Sequence, residues 1–286
     1  MNNINTYESL VLSTVFFDLC SDLHIEYWDK SLNRETYACL PKQFPLVLQK
    51  TESDILVVAG DVSDDIDLSL EYLDFLSKNY KKVLFVDGNH EHINKYPDLF
   101  TELEISQKLE KIQNPKLVYL GKNNFLQNGT LFMGECGWWD YDKQQSRKKG
   151  MSYFEGWIDM FNNPKSALKF MDTVSLYSHN QFNKMRHTLI ESENNDNIQD
   201  IIIITHTVPK KELAIESDLE IETTFQLQSY ASELLKVSSK VKMWIFGHTH
   251  FEFDVNIDGV RYICHPRGRP EDFDREKYSF KKIINN

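Results

Sequence analysis

The 286-residue sequence predicts an α/β fold, a layered α/β/α sandwich of mixed sheets with its functional groups gathered at the C-terminal ends of the strands. Three observations predict it. Short β-branched or aromatic runs alternate with longer amphipathic stretches, hairpin signals interrupt that alternation, and five of the apolar runs end in ionisable residues.

The five runs are "STVFFDLCSDLH", "SDILVVAGD", "KKVLFVDGNH", "QDIIIITHTV" and "KVKMWIFGHTH", each with the length and composition of a buried strand. Between the second and third, "DDIDLSLEYLDFLSKNY" carries Ile66, Leu70, Leu73 and Leu76 at helical spacing. Acidic residues lead this stretch and lysines follow it, as the helix dipole prefers. "NPKLVYLGKNNFLQNGTLFMGEC" reads as two or three strands with a hairpin at Asn128-Gly129, and "FEFDVNIDGVRYICHP" as another hairpin turning at Asp258-Gly259. "SHNQFNKMRHTLIES" reads as a polar helix, which makes His179 and His187 solvated residues, and "ESENNDNIQD" as a surface loop. The stretch from Trp138 to Lys165, rich in aromatics and charge without a clean period, reads as an elaborated loop; Trp138, Trp139 and Trp157 could line a groove there or simply pack. No repeat or long linker divides the chain, so residues 1–286 are expected to form one domain.

Composition narrows the function. Hydrophobic residues at 41% and charged residues at 26% suit a folded globular protein and exclude wholesale disorder. The net charge of -11 works against a purely electrostatic grip on nucleic acid. Four cysteines (Cys20, Cys39, Cys136 and Cys264) form no CxxC pair and are too few for a disulfide scaffold, which points to free thiols in a reducing compartment. The N-terminal "MNNINTYESL" lacks the basic-then-apolar order of a signal peptide, and no apolar run approaches the roughly 20 residues that span a bilayer. A cytoplasmic protein without a membrane partner is expected, and its oligomeric state is left open.

The strand ends carry the chemistry. Asp22 and His24 follow the first run, Asp61 the second, Asn89, His90 and His92 the third, His206 the fourth, and Gly247, His248 and His250 the fifth. An Asp-x-His or a Gly-Asp alone is commonly a turn. A Gly-His-x-His is rarer: with 11 glycines and 9 histidines it falls by chance roughly 0.01 times in a chain of this length. Five such blocks, each at a strand end, point to one assembled rim. Imidazoles, carboxylates and one carboxamide suit divalent ions such as Mn, Fe, Zn, Co or Ni, and the absence of cysteine among these ligands argues against a structural zinc site. Seven donors exceed the needs of one tetrahedral ion and suit two ions about 3.5–4 Å apart that share a carboxylate.

The ordered blocks "DLH", "GD", "GNHE", "TH" and "GHTH" resemble the calcineurin-like metallophosphoesterase superfamily, from about Cys20 to about Pro266. The resemblance implies a four-layer α/β/β/α sandwich of two mixed sheets with flanking helices. It implies two divalent cations, manganese first among the candidates. Asp22, His24 and His250 match the ligands of the first, Asp61 the bridging carboxylate, and Asn89, His206 and His248 the ligands of the second. His90 matches the catalytic residue that contacts the phosphate and protonates the leaving oxygen. The implied activity is phosphoester hydrolysis by a water that the two cations acidify to a bridging hydroxide, on a nucleotide or other small phosphate ester, as phosphodiesterase or phosphatase.

The blocks "SDLHIE" and "GDVSDD" lack the glycines and arginine of the Ser/Thr protein phosphatases, and no tyrosine follows Asp61 as in purple acid phosphatases. "WWDYD" and "CHPRGRPED" resemble a compact bacterial-type branch whose last block reads Asn-Pro-Arg-Gly. His265 stands here in place of the asparagine, and Arg267 reads either as a phosphate contact or as part of a structural turn. His92 could support the site or be exposed. Two alternatives of other kinds stay open: a DNA-repair-type nuclease, which needs a basic surface that this acidic chain does not advertise, and a binding scaffold that has lost its metals, against which the intact blocks argue.

Overall fold

The computed structural model describes residues 14–29, 51–93, 99–141, 143, 164–214, 230–272 and 278–285. In chain order they form β1 (Val15–Cys20), α1 (Ile25–Trp28), β2 (Ile55–Ala59), α2 (Ile66–Ser77), β3 (Lys82–Val86), α3 (Asn89–Ile93), α4 (Glu102–Ile112) and β4 (Leu117–Tyr119). Then come β5 (Phe125–Gln127), β6 (Thr130–Glu135), α5 (Pro164–Glu193), β7 (Asp200–Thr205), α6 (Ala231–Leu234), β8 (Val241–Phe246), β9 (Phe253–Ile257), β10 (Val260–Cys264) and β11 (Lys281–Asn285).

The strands make two mixed sheets. The first has the order β11-β1-β2-β3-β4, with β1 to β4 parallel and β11 antiparallel along β1, Val15 opposite Asn285. The second has the order β5-β6-β7-β8-β10-β9, with its four inner strands parallel and the two expected hairpins folding β5 and β9 antiparallel onto the edges.

Alternation along the strands explains how continuous apolar runs serve two cores. Ile55, Val57 and Ala59 of β2, with Phe17 and Leu19 of β1, face the other sheet, where they meet Ile202, Ile204, Met243 and Ile245. Leu56 and Val58 face the opposite way, against Leu70, Leu73 and Leu76 of α2 and Ile105 of α4. Ile201 and Ile203 likewise turn toward Phe182, Met185 and Leu189 of α5 and Leu234 of α6. Helices, sheet, sheet, helices: the four layers follow from three apolar interfaces, each buried aliphatic contributing about 1.5–3 kcal/mol.

The helix expected around Leu70 is α2, capped by Asp65, whose side chain accepts from the Asp67 amide. The polar helix around residues 178–192 is longer than its period suggested, running to Glu193, so the stretch expected as a loop begins inside it; His179 and His187 are exposed. Trp138, Trp139 and Tyr141 are buried in a satellite cluster with Phe170, Met171 and Val174, so packing is the role of the first two tryptophans. The remainder of that aromatic stretch, residue 142 and 144–163 with Trp157, lies outside the described residues. No helix among the described residues is long and apolar enough to cross a membrane.

Candidate metal centre

All seven expected ligands and His90 converge on one rim, on the loops that leave β1, β2, β3, β7 and β8. The backbone there is unusual. Asp22 (φ 49), His24 (φ 41), Asp61 (φ 53), His248 (φ 72) and His250 (φ 57) all adopt the left-handed region, at about 1–2 kcal/mol each. A left-handed residue reverses the chain within one step, which turns successive side chains of "GHTH" into the same space.

Neighbouring loops hold that backbone in place. The amide of Asp22 donates to Gly60 O at 3.0 Å, that of His24 to Asp61 O at 3.2 Å, and that of Gly247 to His206 O at 2.9 Å. Glu91, buried, accepts from the amides of Gly88 (2.7 Å), Asp61 (3.0 Å) and Val62 (2.7 Å) and from the Ser69 hydroxyl (2.9 Å), so one carboxylate clamps the loops after β2 and β3 together. Gly88 and Gly247 are required by proximity: a Cβ on Gly88 would stand 2.0 Å from Asp61 Oδ1, and one on Gly247 2.6 Å from Asp22 Oδ2.

The donors fall into two trios, Asp22 with His24 and His250, and Asp61 with His206 and His248. In the first, His24 Nε2 and His250 Nε2 are 3.1 Å apart and His250 Nε2 is 3.6 Å from Asp22 Oδ1. In the second, His206 Nε2 lies 3.1 Å from Asp61 Oδ2 and 3.0 Å from Asn89 Oδ1. Asp61 Oδ2 is also 3.8 Å from His24 Nε2, which places this carboxylate between the trios. Donors that each sit about 2.0–2.2 Å from a cation are spaced this way. The chemistry fits divalent ions on two further counts. Asp22 Oδ2 is buried without a hydrogen-bond partner. The far ring nitrogens are anchored, His206 Nδ1 on Ala59 O at 2.9 Å and His250 Nδ1 on Asp272, which aims each Nε2 inward.

Electrostatics divide the ligands: Asp61 outweighs burial and raises the His206 pKa to about 10, and burial raises that of Asp22, whereas Asp61, His24 and His248 are set for a cation. Burial raises the Asp61 carboxyl, but His206 and His90 outweigh it and hold it well below the usual carboxylate range. Burial, reinforced by His90, holds His24 neutral, and burial reinforced by His206 does the same for His248. Neutral imidazole is the ligating form.

His90 sits against both trios, with a ring nitrogen within 4.8 Å of donor atoms of His24 and Asp61. Its Nδ1 bonds Asp64 Oδ1 at 2.6 Å, while Nε2 faces the rim, 3.8 Å from Asp61 Oδ2 and 3.3 Å from Arg269 Nη2. Asp64 is held in turn by the Tyr27 hydroxyl at 2.9 Å. Sequence reasoning singled out none of Asp64, Glu91, Asp272 and Arg269. The second acidic group of "GDVSDD" and the glutamate of "GNHE" were visible signals for two of them; Arg269 and Asp272 stand inside "CHPRGRPED", where only His265 and Arg267 were weighed.

His92 is fully buried, resolving its two readings against exposure: it bonds Asp87 through Nε2 and Phe100 O through Nδ1. Arg267 is 3% exposed with its guanidinium 4.0 Å over the Trp28 ring, a packing role. His265 ties its loop to Ser279 O at 2.8 Å and stacks on Tyr278.

The sequence model of the calcineurin-like phosphoesterases matches residues 17–252. An uncharacterized protein, L509, of Acanthamoeba polyphaga mimivirus is 21% identical over 252 residues, covering 84% of this chain and 86% of that protein. Among solved structures, the phosphopantetheinyl hydrolase PptH of Mycobacterium tuberculosis superposes with a TM-score of 0.69 at 19% identity, over 96% of this chain and 98% of that one. A dimetal phosphatase from Danio rerio gives 0.54 at 15% identity, over 94% and 91%.

Proposed function

The chain belongs to the calcineurin-like phosphoesterase family, and on that premise of metal-dependent phosphoester hydrolysis we propose a phosphatase or phosphodiesterase of small phosphate esters, nucleotides among them. The observation that carries this reading is the position of Asp61 between two trios of inward-facing donors. In the proposal Asp22, His24 and His250 hold one divalent ion, Asn89, His206 and His248 the other, and Asp61 both. Manganese is the first candidate. Bound there, the ions would supply Lewis acidity to phosphoryl oxygens and lower the pKa of water in the site.

The chain's own groups do the rest. Asp64 fixes the His90 ring so that Nε2 points to the rim, where it donates a proton to the departing oxygen. Asp61 and Asp64 favour the proton on His90 against burial, pushing its pKa up to about 9. Glu91 keeps the loops that carry Asp61 and Asn89 in register. Residues 1–286 act in this reading as one domain, and the buried free thiols of Cys20, Cys136 and Cys264 suit a reducing, cytoplasmic compartment.

A metal-reconstituted screen tests the proposal, against p-nitrophenyl phosphate, its bis ester, cyclic nucleotides, a phosphopantetheinyl ester and single-stranded DNA. Metal-dependent hydrolysis of a small ester that vanishes in Asp61→Ala is expected. Activity on DNA alone would favour a nuclease, no hydrolysis at all a binding scaffold, and activity surviving Asp61→Ala would sink the mechanism.

A further inference from the structure

Two arginines frame the turn after β10, and their surroundings differ. Arg267 is buried against Trp28, whereas Arg269 is partly exposed beside His90. The Arg269 guanidinium lies 4.8 Å from the centre of the Tyr27 ring, and Nη2 is 3.3 Å from His90 Nε2. Its Nε is buried without a hydrogen-bond partner, and among the described residues no carboxylate lies within ion-pair distance of its side chain. The backbone beneath is fixed: the Arg269 amide donates to Asp272 Oδ2 at 2.7 Å, and the Gly268 amide to Asp22 O at 2.9 Å. A cation is thus held at the rim with a donor left over, which is the requirement for meeting an anionic oxygen.

We propose that Arg269 selects a terminal phosphate, its guanidinium fork taking the third non-bridging oxygen that a phosphomonoester has and a diester lacks. The proposal rests on the phosphoester-hydrolase reading and narrows its substrate class. The two trios of donors are committed to cations, and a diester has only two non-bridging oxygens to offer them. A monoester keeps one more, with a second negative charge, on the side where His90 and Arg269 stand. A planar guanidinium presents its N–H groups to that oxygen in a fixed fork, which a point-charge ammonium does not.

Kinetics and calorimetry on the metal-loaded protein test this. Arg269→Gln should lower kcat/KM for p-nitrophenyl phosphate roughly 10- to 100-fold, the worth of a charge-assisted hydrogen bond, and for the bis ester by less than about threefold. Arg269→Lys should fall between. In titrations, the wild type should bind inorganic phosphate more tightly than dimethyl phosphate, and Arg269→Gln should lose that preference. An equal loss on both esters, or no loss on either, overturns the assignment. If the wild type hydrolyses neither ester the hydrolase reading fails, and the titrations then decide Arg269 by themselves: an unchanged phosphate preference in Arg269→Gln refutes its role.

Discussion

Two buried clusters of histidine and carboxylate lie side by side at the end of the sheets, and only one is built like a metal centre. At the rim, Asp22, His24, Asp61, His206, His248 and His250 turn donor atoms toward common points, on a backbone forced into the left-handed region at five positions. Behind it, Asp87, His92 and Cys136 also approach closely enough to hold an ion. Yet both Asp87 oxygens are used, by the Tyr119 hydroxyl at 2.7 Å and by His92, and both His92 nitrogens are used, by Asp87 and Phe100 O. None of these three residues has a positive φ. Residue type therefore does not separate the two clusters; strained backbone and the unpartnered Asp22 Oδ2 do.

The largest test of that contrast is Asp61→Asn. Placed between the trios, its loss should empty both and cost several kcal/mol of transition-state stabilisation, about 10³-fold in kcat/KM, while the metal-free protein stays folded. Metal content by elemental analysis and thermal unfolding of the stripped protein read the two halves of this expectation. In the closed cluster the cost should fall on stability instead: His92→Asn strands Asp87 and should lower unfolding free energy by about 3–5 kcal/mol in urea titrations, with metal content unchanged.

The same pair carries a pH signature. Burial opposes the His92 imidazolium, but Asp87 and the Phe100 carbonyl outweigh it and raise its pKa above the ordinary 6.5. A raised histidine stabilises fully below its unfolded value and loses that contribution as pH rises through its folded value. Stability of the stripped wild type should accordingly decline on the alkaline side, and His92→Asn should flatten that limb.

Smaller still is Asp64→Asn, expected to lower kcat about 10- to 100-fold, part of the roughly 10²–10⁴ that a positioned acid supplies. KM should hold steady, and the loss should be greater for an alkyl ester than for a p-nitrophenyl ester, whose leaving group needs less protonation. A purely structural Asp64 would lower both alike. Least of all, Cys136→Ala should leave metal content and kcat as they were; a lost ion would mean that the rear cluster binds metal after all.

The strand ends were legible because buried parallel strands are apolar for their whole length, so a sudden Asp, Asn or His marks the point where the chain leaves the sheet. That rule picks residues that converge on one rim. It could not locate α4, although Thr101 and Glu104 form a capping box that was there to be read. β11 had no local signal at all: its five residues are lysine, isoleucine and asparagine, and their strand character comes from a partner far up the chain. Arg269 stands in "CHPRGRPED", but its spatial neighbour was hidden for the same reason. Its proximity to His90 spans 179 positions of sequence, and only the turn held by Asp22 O and Asp272 brings it there.

The pairing of β1 with β11 bears on how the protein is made. Val15 and Asn285 stand opposite each other, so β1 meets one of its two neighbours only after about 270 further residues have been synthesised. At about 5–20 residues per second, that interval is on the order of tens of seconds. During it, β1 presents an unpaired edge ending in Asp22 and His24, open to pairing with other nascent chains. The yield of folded protein should therefore depend on translation speed and crowding on the ribosome, through the one strand that waits longest for its neighbour.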